Sequence, residues 1–328
     1  MAFRVRARKY VSSPVLRLGR IAPRATLLPW TLLVVVAALA AGCSSGAAAG
    51  PGGPGASASA GAGLRVVATT TVFADIVANV GRGRVTATSL LPAGVGPEDY
   101  EPRPDDVRKL SDADLVVSNG VGLDNFLDRL LASADGNKPR LVLGDGIATI
   151  DVDGQPNPHF WLDPTLVRDH YVPAIAATLT RLDPVGATTY AANAGTYQAE
   201  LTSLDRDLQA KVDAIPAANR KLVTFHDAFP YFARHFGFEL IGVVLANVGQ
   251  EPTATDLAAL VEKVRAAHVK AVFSEAQFSP KLSETLASEA GITRVVTTLY
   301  NDALGPPPAD TYVGLMRWDV DQVAQALS

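Results

Sequence analysis

The spacing of apolar positions changes several times along the chain, and each change marks a different kind of element. From Leu64 to Thr70 the run LRVVATT is apolar and β-branched, the pattern of a buried strand. From Val72 to Val80 the apolar side chains Val72, Ile76 and Val80 return every four residues, which predicts a helix. The alternation continues with Val85 to Leu91 as strand, Pro104 to Leu110 as helix, Ala113 to Ser118 as strand, Phe126 to Ala132 as helix and Leu141 to Leu143 as strand. Strands separated by helices form a parallel sheet covered by those helices. The rhythm then breaks. Tyr190, Asn193, Tyr197, Leu201, Leu204, Leu208 and Val212 recur at spacings of three and four, which predicts one long helix. Asp183-Pro184 is a favourable helix start and Pro216 stops it. After Pro216 the alternation resumes, with strands at Lys221 to Phe225, Leu240 to Val244, Ala271 to Ser274 and Val295 to Thr298. Helices are expected between them at Phe229 to Phe236, Thr255 to Ala267 and Pro280 to Ala290, and Thr311 to Leu327 reads as a closing helix. The expected fold is α/β: two βα lobes with parallel sheets joined by one long helix, with ligands in the crevice at the carboxyl ends of the strands.

The chain before Leu64 lacks this pattern. Its first 42 residues carry seven basic side chains and no acidic one, and the apolar stretch Leu27 to Ala41 is about fifteen residues, short of the roughly 20 that span a bilayer. That is the pattern of an export signal. It ends in Leu39-Ala40-Ala41-Gly42-Cys43, where small residues precede the only cysteine of the chain, so no intramolecular disulfide is possible. The segment resembles a bacterial lipobox, with Ala40 where a large aliphatic residue is usual and Leu39 one place further back. Cys43 is then the lipidated mature N-terminus. Residues 44–63 are Gly, Ser, Ala and Pro with nothing to pack, a flexible tether. The expected division is a signal peptide at 1–42, a tether at 43–63, a first lobe at 64–182, the linking helix at 183–215 and a second lobe at 216–328.

Removing the signal changes the charge. The whole chain has a formal charge of −4, but without the seven basic residues 22 of its 29 Lys and Arg face 33 Asp and Glu, a net −11. Such a body repels nucleic acid and suits a cationic ligand. Metal-type side chains fall where strand ends are expected. His226 follows KLVTF, His159 lies in NPHFWLDP, Asp302 follows VVTTLY by one residue, and Glu98 lies in the turn-rich GVGPEDYEP. Two neutral imidazoles and two carboxylates offset a divalent charge and suit Zn²⁺, Mn²⁺ or Fe²⁺. These residues are scattered, no compact metal motif is present, and each histidine taken alone is better explained by a surface or structural role, Asp302 alone by a turn or helix cap, and Glu98 alone by solvation. The same plain reading holds for His170, His235 and His268, in or at the ends of expected helices.

Longer stretches are more specific. GVGPEDYEPRPDDVRKLSDADLVVSNGVGLDNFL, NPHFWLDP, TFHDAFPYFARHFGFELIGV, EPTATDL, VFSEAQFSPKLSETLASEAG and LYNDALG occur in this order, and from about Leu64 to Leu327 the chain resembles the zinc and manganese solute-binding lipoproteins of ABC importers. The resemblance implies two α/β lobes bridged by a rigid helix, with a metal site in the interlobe cleft. It places metal ligands at Glu98, His159, His226 and Asp302. Glu98 stands where the family has histidine, two places before Tyr100, which makes the site harder and more anionic. Asp99 is a neighbouring alternative ligand or a support for one. His226 matches the zinc-type members, where manganese-type members have a carboxylate, so Zn²⁺ is slightly favoured over Mn²⁺. Trp161, Asp163, Glu275, Tyr231 and Arg234 are expected to support the site or the fold.

The implied role is capture without chemistry: one divalent ion bound by a monomeric receptor, lipid-anchored at Cys43 to the outer face of the cytoplasmic membrane, and passed to a permease driven by an ATPase. No GxxxxGK[ST] motif is present, as expected of a receptor. Two other readings use the same residues. A metallohydrolase needs an open coordination position, for which four protein ligands leave little room. An adhesion lipoprotein would bind host matrix without needing its metal site.

Overall fold

The computed structural model describes residues 63–98, 100–134, 137–152, 154–245 and 251–328. The expected signal peptide, Cys43, the expected tether before Gly63, and Asp99 lie outside the described residues.

The first lobe is built on β1 (Leu64–Ala68), β2 (Val85–Ser89), β3 (Leu115–Ser118) and β4 (Arg140–Val142), a parallel sheet in the order β2-β1-β3-β4. Both faces of this sheet are covered, which is why its central strands read as continuous apolar runs. Val66, Ala68, Leu115 and Val117 face one core together with α1 (Thr71–Gly81). Val67 and Val116 face another, with α2 (Pro104–Asp112) and α3 (Asn125–Ser133). A two-residue antiparallel pair follows, β5 (Asp151–Val152) and β6 (Gln155–Pro156), then α4 (Pro164–Leu166), a π-helical turn at Val167–Tyr171 and α5 (Val172–Leu182).

The long helix, α6 (Ala187–Asp213), has 27 residues. It begins later than expected, because Pro184–Gly186 forms a 3-10 turn closed by the Asp183 carboxylate on the Gly186 N–H at 3.3 Å. Tyr190, Ala194, Tyr197, Leu201, Leu204, Leu208 and Val212 are its buried face. Asn193 serves a different purpose, because its side-chain amide donates to the Val80 and Arg82 carbonyls at 3.0 and 3.1 Å and so satisfies the end of α1.

The second lobe contains β7 (Lys221–His226), α7 (Pro230–Phe236), β8 (Glu239–Leu245), α8 (Ala254–Ala266), β9 (Val272–Glu275), α9 (Lys281–Ala290), β10 (Val295–Leu299) and α10 (Tyr312–Leu327). Its strands form two parallel pairs, β7 with β8 and β9 with β10. β7 runs beside β9. Alternate side chains again divide between two cores, Leu222 and Phe273 facing α10 while Val223 and Val272 face α8 and α9.

The first core does not stop at the lobe boundary. It runs from Val66 and Phe73 through Leu201 and Leu208 on α6 to Phe232 and Tyr312, so both lobes share it. Each such side chain contributes about 1.5–3 kcal/mol on burial. Polar links reinforce the join: Leu304 N–H donates to Thr71 Oγ1 at 2.8 Å, Tyr312 N–H to Asp75 Oδ2 at 2.9 Å and the Tyr312 hydroxyl to the Trp161 carbonyl at 2.7 Å. The geometry of the cleft is therefore set largely by the fold itself.

Candidate metal centre

Four loops meet at the carboxyl ends of the two sets of strands. Glu98 lies on the loop after β2. That loop is anchored through Tyr100, whose hydroxyl donates to Asp106 Oδ2 at 2.6 Å while the same oxygen accepts the Arg103 N–H at 2.7 Å. Burial, with the Asp106 carboxylate beside it, pushes Tyr100 up to about 12. Gly96 lets the loop approach the second lobe: a Cβ there would stand 3.3 Å from Asp302 Oδ2 and 3.4 Å from Gln277 Nε2. His159 precedes the 3-10 turn Phe160–Leu162, within which the buried Trp161 indole donates to the Asn301 carbonyl at 2.8 Å. That bond fastens the His159 loop to the Asp302 loop. His226 is the last residue of β7 rather than the one after it. Asp302 follows β10, and its loop is held by the Tyr300 N–H on Asp319 Oδ1 at 3.0 Å.

The structure brings Glu98, His159 and His226 together, each offering a ligand atom within 4.8 Å of the others. Asp302 reaches the two imidazoles: its Oδ1 lies 3.5 Å from His159 Nε2 and its Oδ2 3.9 Å from His226 Nε2. The His159, His226 and Asp302 side chains are buried, and Glu98 is exposed on the loop that covers them. His159 Nε2 and Asp302 Oδ1 face each other with no hydrogen-bond partner among the described residues. Buried polar atoms are rarely left so, and this pair marks a place where a cation fits. Donors around a tetrahedral ion with bonds of about 2.0–2.1 Å stand roughly 3.4 Å apart, close to the spacing of this pair.

The electrostatics agree. Burial works against a charged His226, but Glu275, with Oε1 3.0 Å from its Nδ1, and then Asp302 and Glu98 outweigh it and push His226 up to about 10. Glu275 also turns Nδ1 away from the cleft, leaving Nε2 to face it. The Gln277 amide donates to Asp302 Oδ2 at 2.8 Å and fixes the direction of that carboxylate.

All four residues expected from the sequence thus converge, Asp302 through the two histidines. The other three histidines stand elsewhere. His235 binds Asp205 through Nε2 at 2.6 Å, and His170 and His268 are exposed. The strand-end pattern does not single out Gln277 or Asn301, whose side-chain amide lies 3.1 Å from His226 Nε2. The available signal was adjacency, since Asn301 directly precedes Asp302 and Gln277 lies two residues beyond Glu275.

This is the fold and site of a two-lobed binding protein for a divalent cation. Residues 66–326 match the family model described as Zinc-uptake complex component A periplasmic, and the chain belongs to that family, the metal-binding substrate-binding components of ABC importers, which are not enzymes. It is 31% identical over 305 residues to the manganese-binding lipoprotein MntA of Halalkalibacterium halodurans, covering 90% of this chain and 97% of the relative. It is 29% identical over 280 residues to the iron ABC transporter substrate-binding lipoprotein MtsA of Streptococcus pyogenes, covering 81% and 89%. Among solved structures it is similar to the periplasmic zinc binding protein TroA of Treponema pallidum, with TM-score 0.75 and 29% identity over 81% of this chain and 99% of that one. The Mn-bound periplasmic metal binding protein of Candidatus Liberibacter asiaticus gives TM-score 0.74 and 27% identity, over 81% and 100%. No helix among the described residues is long and apolar enough to cross a membrane.

Proposed function

We propose that this substrate-binding protein captures one divalent transition-metal ion with Glu98, His159, His226 and Asp302 and delivers it to a membrane permease driven by a cytoplasmic ATPase. The observation that carries the ligand set is the convergence of Glu98, His159 and His226 within 4.8 Å, with Asp302 Oδ1 facing His159 Nε2 at 3.5 Å. Two carboxylates neutralise the ion, and two imidazoles give the set its borderline character. Zn²⁺ is slightly preferred over Mn²⁺, because His226 supplies an imidazole where manganese-type members of the family have a carboxylate. The lipobox-like segment at Cys43 supports anchoring to the outer face of the cytoplasmic membrane, and MntA and MtsA are named lipoproteins. The protein acts as a monomer.

The test is the metal content of the stripped and reloaded protein beside His159→Ala and Glu98→Ala. One ion per chain, held tightly by the parent and weakened in both variants, is the expected result. A parent that binds no ion ends the receptor reading. A Glu98→Ala form with full affinity removes Glu98 from the ligand set.

A further inference from the structure

Asn157 lies two residues before His159, is 4% exposed, and directs its side chain at both histidine loops. Its Oδ1 accepts the His159 backbone N–H at 3.0 Å, and its Nδ2 donates to the Asp227 carbonyl at 2.6 Å and to Asp227 Oδ2 at 3.2 Å. A backbone N–H only donates and a backbone carbonyl only accepts, so these partners determine which end of the amide is oxygen. The same Oδ1 lies 3.1 Å from His159 Nδ1. An amide oxygen has no hydrogen to give, so Nδ1 is the donor. A neutral imidazole held this way carries its lone pair on Nε2, the atom that faces Asp302 Oδ1 at 3.5 Å without a hydrogen-bond partner among the described residues.

The other end of the amide acts across the cleft, because Asp227 follows His226 directly. Tyr231 of α7 reinforces the connection: its hydroxyl donates to the Asn157 carbonyl at 2.9 Å and accepts the Ile150 N–H at 2.9 Å. One buried amide therefore orients the imidazole of the first lobe and ties its loop to the backbone beside the imidazole of the second. A carboxylate in its place would keep the acceptor for Nδ1–H but lose the donor, and would face the Asp227 carboxylate.

We propose that Asn157 is a positioning residue for metal capture, setting the tautomer of His159 and the spacing of His159 from His226. The proposal rests on the reading of these two histidines as ligands. It is tested with Asn157→Leu and Asn157→Asp in the full chain, using Zn²⁺ and Mn²⁺ titrations against a competing chelator. Nitrogen-15 NMR of the histidine rings in the metal-free protein supplies the second readout. Asn157→Leu is expected to lose about 10- to 100-fold in affinity and to release His159 from the Nδ1–H tautomer. Asn157→Asp, which retains the acceptor, is expected to keep that tautomer while binding more weakly than the parent. Parental affinity in either variant overturns the proposal and leaves the site intact, and so does a change of His159 tautomer in the Asp form. Should the Leu form not fold, the Asp form decides alone. A parent that binds neither ion refutes the ligand reading instead.

Discussion

Capture of the ion is expected to expel a proton from His226. In the metal-free protein burial disfavours the imidazolium, but Glu275 first, and then Asp302 and Glu98, push His226 up to about 10. An ion needs the Nε2 lone pair, so at pH 7 the proton must leave. Three pH units at about 1.4 kcal/mol each make that displacement cost about 4 kcal/mol, an apparent affinity about a thousandfold below its high-pH limit. Affinity should therefore rise about tenfold per pH unit between pH 7 and 9, with about one proton released from this group for each ion bound. An ordinary histidine, titrating near 6.5, would release only about a quarter of a proton at pH 7.

Calorimetric titration in buffers of different ionisation enthalpy counts the protons, and chelator competition across pH 7–9 gives the slope. Glu275→Gln removes the partner that raises His226 most, so it should lower the proton count and flatten the slope. An affinity that is flat over this interval, with a quarter of a proton or less released, would falsify the argument. The stability of the metal-free protein carries the opposite sign. The folded pKa lies above the unfolded one, so the contribution of His226 is complete below about pH 6.5 and is lost as pH rises through about 10. The metal-free Tm should fall from pH 7 to 9 while the rise in Tm on adding metal grows.

Tyr312→Phe removes the hydroxyl that donates to the Trp161 carbonyl at 2.7 Å and leaves that buried carbonyl unmatched, so denaturant unfolding should report a loss of about 1–3 kcal/mol. Leu204→Ala opens a cavity in the shared core at a fully buried position of α6 and should cost about 2–5 kcal/mol in the same assay. An unchanged midpoint would mean that the two lobes do not depend on that core. Gly96→Ala sets a methyl 3.3 Å from Asp302 Oδ2 and should weaken metal binding several-fold with unfolding little changed, which paired titrations and melts will show.

The elements that could be read from the sequence are those whose burial leaves a periodic trace. Val66–Ala68 of β1 and Leu115–Val117 of β3 are covered on both faces and read as short apolar runs, and α6 repeats its buried positions at three and four. Asn193 sits in that repeat for a different reason, a pair of hydrogen bonds to the end of α1. The segment from Pro164 to Leu182 was harder to read because its helix is interrupted by the π turn at Val167–Tyr171, which shifts the apolar period partway along. The site left no period at all. Its residues come from loops separated by tens of positions, and only the ordered motifs around Glu98, His159, His226 and Asp302 pointed to a common cleft. Gln277 and Asn157 stayed hidden because amides signal nothing until their partners are in place.

That division between core and loops bears on how the ion is held. His159, His226 and Asp302 are buried at the meeting of two lobes that share one core, and the Trp161 indole on the Asn301 carbonyl ties their loops together. Separating those loops would expose apolar surface and strand buried polar groups, so their positions are largely determined before any ion arrives. The spacing of 3.5 Å between His159 Nε2 and Asp302 Oδ1 already suits an ion, and that of 3.9 Å to His226 Nε2 is close. Glu98 differs from them: it is exposed, on a loop that brings a carboxylate oxygen within 4.8 Å of the histidine nitrogens. On the proposed ligand set, most of the adjustment on binding falls to its loop, in which Gly94 adopts a φ of 73° and Gly96 permits close approach to Asp302. A carboxylate suits that position, since it can bind through one oxygen or two and so meet ions of different size, where an imidazole offers a single nitrogen at one distance.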